Sequence, residues 1–412
     1  ITNLASADSL KYYSVVQTVR EASAIPFETF ANRISGSQVG FFFSLAGFAL
    51  LLVHFRVMLL TLPMVGLGFL AYKNGLRFTV YAVPILAIGV AYLIFYISVT
   101  TKNRQLSFAI GSILTVALLY PNIIHIMEYK VPTVFTKEEV TTLDKLKKVS
   151  SREDYVIAWW DYGFPLRYYG DIKVLSDGAQ HSGGRNFSVS QILTNGSSQQ
   201  ENAQLARHVV EADSARNLGK TKHTGEAFEI AMKEAGFTEP YKFLDAIAKN
   251  QVALPKKTRD IYFTVPMRMV NIYPTVHLFS NMNIKTGAKK TPPLLYYTQR
   301  FNQSKTMINL GGGITVDKTK GELNINGQKT LLHQFIAVHP NSQGKVQIST
   351  QNVNAISNYS LVFLAQYNAF LLADNKILNT LYMQLMFFDN YDPSLFELID
   401  NNPLMKVYKL KI

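Results

Sequence analysis

The sequence predicts an α-helical transmembrane bundle of four spans followed by a mixed α/β soluble domain with a β-rich C-terminal part. Three observations lead there. The 412 residues are 48% hydrophobic and only 17% charged, well below the roughly 25% charged usual for soluble domains. Charge is also unevenly spread: residues 1–130 carry 9 Lys/Arg and 4 Asp/Glu, the remainder carries 32 and 24, and no acidic residue occurs from Gly36 to Asn122. After Tyr129 the texture becomes that of an ordinary globular chain. The apolar content excludes disorder, and the absence of cysteine excludes a disulfide-stapled scaffold. The net charge of +13 would suit nucleic acid or a membrane surface, so its location decides.

An acid-free apolar stretch belongs in a bilayer, where each ionised group at the centre costs roughly 3 kcal/mol. Val39 to Tyr72 as one helix would span about 51 Å against a hydrocarbon core of about 30 Å. It is therefore expected to fold back at His54 and Arg56, with helices near 38–54 and 57–72. Phe78–Thr100 is a third span, and Lys102, Asn103 and Arg104 make a polar turn. Leu106–Ile124 is a fourth span that loses its apolar character at Pro121, Asn122 and His125. Arg56, Lys102 and Arg104 on one face are balanced by Arg33, Lys73, Arg77 and Lys130 on the other, so the positive-inside rule does not set the orientation. The first 36 residues begin at Ile1 and hold neither a signal peptide nor an apolar span. They read as a loop of a longer polytopic protein, of which this is the C-terminal part. The expected organisation is an external loop over 1–37, four transmembrane helices over 38–125, an α/β core over 126–290 and a β-rich part over 291–412.

In the soluble part, Thr136 with Glu139 makes a capping box ahead of Val140, Leu143 and Leu146 at helical spacing, closed by Lys145, Lys147 and Lys148. Tyr155–Ala158 reads as a short buried strand, and Gln200–Val210 and Glu226–Ala235 as amphipathic helices. From about Leu294 strands alternate with turns at Gly311–Gly313, Asn326-Gly327 and Ser342–Gly344. A helix near Lys376–Phe388 and a strand at Met405–Ile412 close the chain.

The chain's only two tryptophans are adjacent, in Trp159-Trp160-Asp161-Tyr162-Gly163. Indoles that donate or pack, beside a carboxylate that accepts from a hydroxyl, compose a small recognition pocket. The competing reading is a core filled by both rings with Asp161 capping the next turn.

This WWDYG run, downstream of membrane spans, resembles the signature of the catalytic subunits of oligosaccharyltransferases, and with Tyr168, Tyr169, Gly170 and Asp177-Gly178 it looks like the bacterial PglB family. The similarity runs through the closing Lys-Leu-Lys-Ile. It implies en bloc transfer of an oligosaccharide from a polyprenyl diphosphate to the Asn of D/E-x-N-x-S/T acceptors, by a metal-dependent, inverting, single-subunit monomeric enzyme. The bilayer would be the bacterial inner membrane and the soluble domain periplasmic, with which the lack of thiols agrees. Residue by residue, it implies that Trp159, Trp160 and Asp161 read the Ser/Thr hydroxyl. Met269, Ile272 and Val276 match the family's M-x-x-I-x-x-x-V, which would back the pocket on one face of a helix opened by Pro266. Thr18-Val19-Arg20-Glu21 matches T-I/V-x-E, making Glu21 the catalytic candidate and one ligand of Mg2+ or Mn2+, with the other carboxylates absent from this chain. Alone, the fragment is thus expected to be inactive. Arg33 would pair the acid two before the acceptor Asn, Arg77 would meet the lipid pyrophosphate, and His181 would face the sugar. Solvated or structural roles compete for each.

Four Asn-x-Ser triplets, at Asn186, Asn195, Asn302 and Asn358, have Gly184, Leu193, Arg300 and Ile356 two residues earlier. None is acidic, as an enzyme demanding an acid there would require to spare itself. Rival classes are a sequon-binding subunit without catalysis, a membrane glycosyltransferase acting on lipid or hydroxyl acceptors, and a transporter, which the lack of an ionisable pair within the spans disfavours. No motif supports nucleic-acid binding.

Overall fold

The computed structural model describes residues 10–15, 18, 24–128, 133, 135–341 and 346–412, and the chain divides into two compact units, residues 14–133 and residues 1–13 with 134–412.

The helical unit opens with a helix, Phe27–Ser35, where a loop was expected. Phe27, Phe30, Ala31 and Ile34 form one apolar stripe that packs into the unit's core. Asn32 and Arg33 between them, and Pro26 ahead of them, hide that stripe in the sequence. Gly36, at φ +75°, ends the helix in the left-handed conformation that glycine accepts without strain. The next helix, Gln38–His54, begins at Ser37, whose hydroxyl accepts the Gly40 N–H at 3.0 Å, and is bent 66° from the first.

Arg56–Asn74, Leu76–Val99 and Arg104–Glu128 are long and apolar enough to cross a membrane; the bent pair Phe27–Ser35 and Gln38–His54 raises the number to four if it counts as one span. The last helix continues past Ile124 to Glu128. Asn122 does not end it because its amide is satisfied, donating to Leu118 O at 3.2 Å and Ser35 O at 3.1 Å. Helices Gln38–His54 and Thr79–Val99 nearly touch: a Cβ on Gly47 would lie 1.9 Å from the Gly89 carbonyl oxygen. Small residues allow that approach where lipid supplies no hydrophobic drive.

In the other unit, helix Lys137–Val149 starts on the expected capping box, with Thr136 N–H on Glu139 Oε2 at 2.7 Å and Glu139 N–H on Thr136 Oγ1 at 3.3 Å. Strand β1 (Tyr155–Ile157) lies parallel between β2 (Lys173–Val174) and β3 (Ile261–Pro266). Strand Met405–Leu410 adds antiparallel to β3, and Phe396–Asn402 pairs outside it. Helices Gln199–Asn217, Ala227–Glu234 and Pro240–Ala248 fill the connection from β2 to β3. The chain leaves β1 for one side of the sheet and returns on the other. The strand order therefore reverses at β1 and β3, and a crevice opens outside the carboxyl ends of such strands.

The β-rich part consists of two five-stranded sheets. One is a meander from Asn302 to Leu331, turning at Asn326-Gly327 with φ of 52° and 91°. The other orders Val346–Asn352, Gln334–Pro340, Tyr359–Leu364, Ala369–Asp374 and Leu295–Thr298. Both face one core that includes Leu310, Val316, Leu323, Leu361 and Leu372. The turn expected at Ser342–Gly344 lies outside the described residues. The β-rich part ends at Asp374. Instead of one helix, two short ones follow, Asn375–Leu378 and Leu381–Met386, broken by the extended backbone of Thr380, and the last strands rejoin the β1 sheet.

Candidate functional site

The WWDYG run leaves the carboxyl end of β1 as a tight turn, Trp160–Tyr162, leading into helix Gly163–Tyr169. Trp159 is buried and meets Phe279 edge-on at 5.1 Å, so it is a core ring. Trp160 is half-buried and stacks on His181, with centroids 5.2 Å apart and planes at 29°. Its indole Nε1 is buried without a hydrogen-bond partner, as is His181 Nδ1. Such orphans are uncommon and call for an explanation. Asp161 is exposed, while Tyr162 is buried against Phe135 at 5.9 Å. Burial first, then the negative charge of Asp161, pushes the Tyr162 phenol well above its usual range, so it stays protonated. Gly163 has an ordinary helical backbone. Its need is room: a Cβ there would stand 2.4 Å from Asp177 Cβ and 2.6 Å from Ser176 O.

Asp177 follows β2 and fixes the loop that carries His181. Its carboxylate accepts the Ala179 and Gln180 N–H groups at 2.8 Å and Arg167 at 2.7 Å. Burial alone would raise its pKa, but these donors outweigh that and hold it below the usual carboxylate value.

At the end of β3, the expected single helix is two pieces. A 3-10 segment, Met267–Asn271, is followed by helix Tyr273–Leu278, which restarts with Pro274 in its first turn. Met269 and Val276 are fully buried, whereas Ile272, at the junction, is half-buried. The sequence spacing assumed one continuous helix; Pro274, which lacks an N–H, prevents it. Ile272 is thus the only one of the three that is not fully buried. Arg268 pairs with Glu139, so the capping-box glutamate also orients a guanidinium beside this segment.

The core unit therefore gathers Trp159, Trp160, Asp161, His181, Met269, Ile272 and Val276 around the exits of three neighbouring parallel strands. His181, expected on the sugar side, lies on Trp160. Arg33, in the last turn of Phe27–Ser35, and Arg77, over the Phe78 ring at 5.5 Å, are exposed residues of the helical unit. Glu21 lies outside the described residues. Among the described residues no three His, Asp or Glu side chains are grouped to hold a metal ion. Sequence reasoning missed a docked segment: the Lys11 N–H meets Ile284 O at 2.7 Å, Tyr12 donates to Glu229 at 3.1 Å, and Tyr13 packs on Phe279 at 5.1 Å. Its aromatic pair was the one available signal.

An apolar helical unit with helices long enough to cross a membrane, joined in one chain to an α/β core that carries an aromatic–carboxylate turn at the end of β1, defines the class of a membrane-type protein with a mixed α/β core. Residues 152–286 match the STT3/PglB/AglB core domain and residues 294–373 the STT3/PglB C-terminal beta-barrel domain. The undecaprenyl-diphosphooligosaccharide–protein glycotransferases of Campylobacter jejuni strain RM1221 and of C. jejuni subsp. jejuni serotype O:2 are each 35% identical over 411 residues, 97% of this chain. The chain spans 57% of their length. The crystal structure of the C. jejuni PglB C-terminal domain is 30% identical with a TM-score of 0.58, covering 66% of this chain and all of that one. The chain belongs to the STT3/PglB family.

Proposed function

We propose that this chain carries the acceptor-reading core and part of the membrane portion of a bacterial oligosaccharyltransferase, which transfers a glycan from undecaprenyl diphosphate to Asn in D/E-x-N-x-S/T. The observation that carries the reading is the buried, unpartnered Trp160 Nε1–H next to the exposed carboxylate of Asp161. A Ser/Thr hydroxyl accepts from the indole while donating to Asp161, and a site built this way strongly rejects acceptors that lack the hydroxyl. Half-buried Ile272, with Met269 and Val276 buried on either side of it in sequence, is assigned to the same acceptor site.

In the reaction the acceptor amide nitrogen forms a bond to the anomeric carbon from the face opposite the diphosphate. The carbon–oxygen bond breaks with its electron pair leaving on the diphosphate, one amide proton passes to solvent water, and attack from the opposite face inverts the configuration at the anomeric carbon. Glu21 is assigned to hold the amide N–H and would be one ligand of Mg2+ or Mn2+, which would supply charge stabilisation at the departing diphosphate. Arg77 is assigned to the diphosphate and Arg33 to the acid two before the acceptor. The enzyme acts as a monomer at the inner membrane with its core in the periplasm.

The test is glycosylation of a fluorescent Asp-x-Asn-x-Thr peptide by the full-length protein. Asp161→Ala should abolish detectable peptide binding, and Arg33→Ala should weaken Asp-containing acceptors more than matched neutral ones. Unchanged peptide affinity in Asp161→Ala would sink the hydroxyl-reading assignment.

A further inference from the structure

We propose that Arg185 and Asn186, adjacent on helix Gly183–Ser190, are positioning residues for the acceptor pocket: they hold the loop from Leu175 to His181 so that His181 lies flat on Trp160. The inference rests on Trp160 being the donor to the acceptor hydroxyl.

The two rings cannot position themselves through their buried nitrogens. Trp160 Nε1 and His181 Nδ1 lack partners, and a stack by itself tolerates sliding. What fixes the pair must act on the backbone that carries His181. Asn186, fully buried, spans that loop with both ends of its amide: Oδ1 accepts the Ser176 hydroxyl at 2.9 Å and Nδ2 donates to the His181 carbonyl at 3.3 Å. Arg185 holds the start of the loop, donating to the Leu175 carbonyl, and is itself paired with Asp213 at 2.8 Å.

Asp213 is 1% exposed and is tied to β1 through the Tyr155 hydroxyl at 3.1 Å, with Asn217 and Arg216 each at 3.0 Å. The strand that emits Trp160 and the loop that emits His181 are thus referred to one buried charge. A desolvated ion pair is a poor source of stability, and apolar residues of equal volume would serve the core as well. Its use here suits a part that sets geometry.

Asn186 begins an Asn-x-Ser triplet, yet in the folded protein it is fully buried with both ends of its amide hydrogen-bonded. Its side chain is committed to the pocket.

The experiment is peptide kinetics on the full-length protein with Asn186→Ala, and with Ser176→Ala as a milder variant that keeps the Asn186 bond to the His181 carbonyl while removing the Ser176 hydroxyl's contacts with Asn186 Oδ1 and the Gln180 carbonyl. KM for an Asn-x-Thr peptide should rise roughly tenfold in Asn186→Ala and less in Ser176→Ala, with kcat within about twofold of wild type. Because Asn186 acts through His181, the double variant Asn186→Ala/His181→Ala should be no worse than His181→Ala alone. Trp160 emission, isolated by subtracting Trp160→Phe, should change in Asn186→Ala as it does in His181→Ala. Additive losses in the double variant, or an unchanged KM and emission in both single variants, would overturn the proposal. If wild type shows no preference for hydroxyl-bearing peptides, the functional reading fails; the emission comparison then still decides whether these residues hold the stack.

Discussion

Replacing Trp160 by Phe separates the cost of a recognition group from its benefit. In the ligand-free protein the indole N–H is buried and unpartnered, which costs about 1–3 kcal/mol. Phe removes that donor. It also removes part of a half-buried ring stacked on His181, a loss of about 1 kcal/mol of packing. The two effects oppose, so the unfolding free energy of Trp160→Phe should lie within about 1 kcal/mol of wild type. Binding should behave differently. A neutral hydrogen bond to the acceptor hydroxyl contributes about 0.5–1.5 kcal/mol, so affinity for an Asn-x-Thr peptide should fall by up to about tenfold. A matched Asn-x-Val peptide has no hydroxyl to lose, and its weaker binding should change little. Thermal melts and peptide polarisation with both peptides measure the four quantities. Equal losses on Thr and Val peptides, or a destabilisation beyond about 3 kcal/mol, would show that Trp160 is a packing residue and not a donor.

Three further outcomes are expected. Burial, then the charge of Arg207, pushes His208 down to about 4; its folded value is depressed, so stability is full above the unfolded value near 6.5 and is lost as pH falls toward about 4, by about 3 kcal/mol in all. His208→Met should melt with a flatter pH dependence between pH 7.5 and 4, and an unchanged slope would refute the assignment. Gly47→Val drives a Cβ into the Gly89 carbonyl and should destabilise the helical unit by about 3 kcal/mol, measured by unfolding in detergent, whereas Gly66→Val, with nothing within 4 Å, should be near neutral; equal effects would contradict the close helix contact. Asn302 is exposed on a strand with Arg300 two residues before it. Arg300→Asp should therefore gain a glycan-sized mass at Asn302 when donor lipid is supplied, and no gain would count against the requirement for an acid at that position.

Local patterns in the sequence carried to the structure where one element decides them alone. Helix Gln38–His54, the Thr136–Glu139 box, strand Tyr155–Ile157 and the Asn326-Gly327 turn are set by period, cap or backbone conformation. Phe27–Ser35 was illegible because a short stripe interrupted by Asn32 and Arg33 resembles a polar loop until the surface it packs against is known. Met269 and Val276 were placed on one helix by arithmetic that Pro274 invalidates, though both still end buried behind Ile272. Arg268 with Glu139, 129 residues apart, and Arg185 with Asp213 are pairings of tertiary structure that no spacing announces.

The five-residue motif shows why a site can be recognised in sequence and still be misread in part. Trp160 and Asp161 reach the surface, while Trp159, Tyr162 and Gly163 are fixed from within, by Phe279, by Phe135 and by the Asp177 backbone. A contiguous motif therefore mixes two kinds of constraint. Gly163 separates them most sharply, since its backbone is helical and any residue could adopt it. Only the approach of Ser176 and Asp177, at the start of the loop that carries His181, forbids a side chain. A change at Gly163 should thus appear first as lost stability and only through it as lost recognition, whereas a change at Trp160 should show the reverse order.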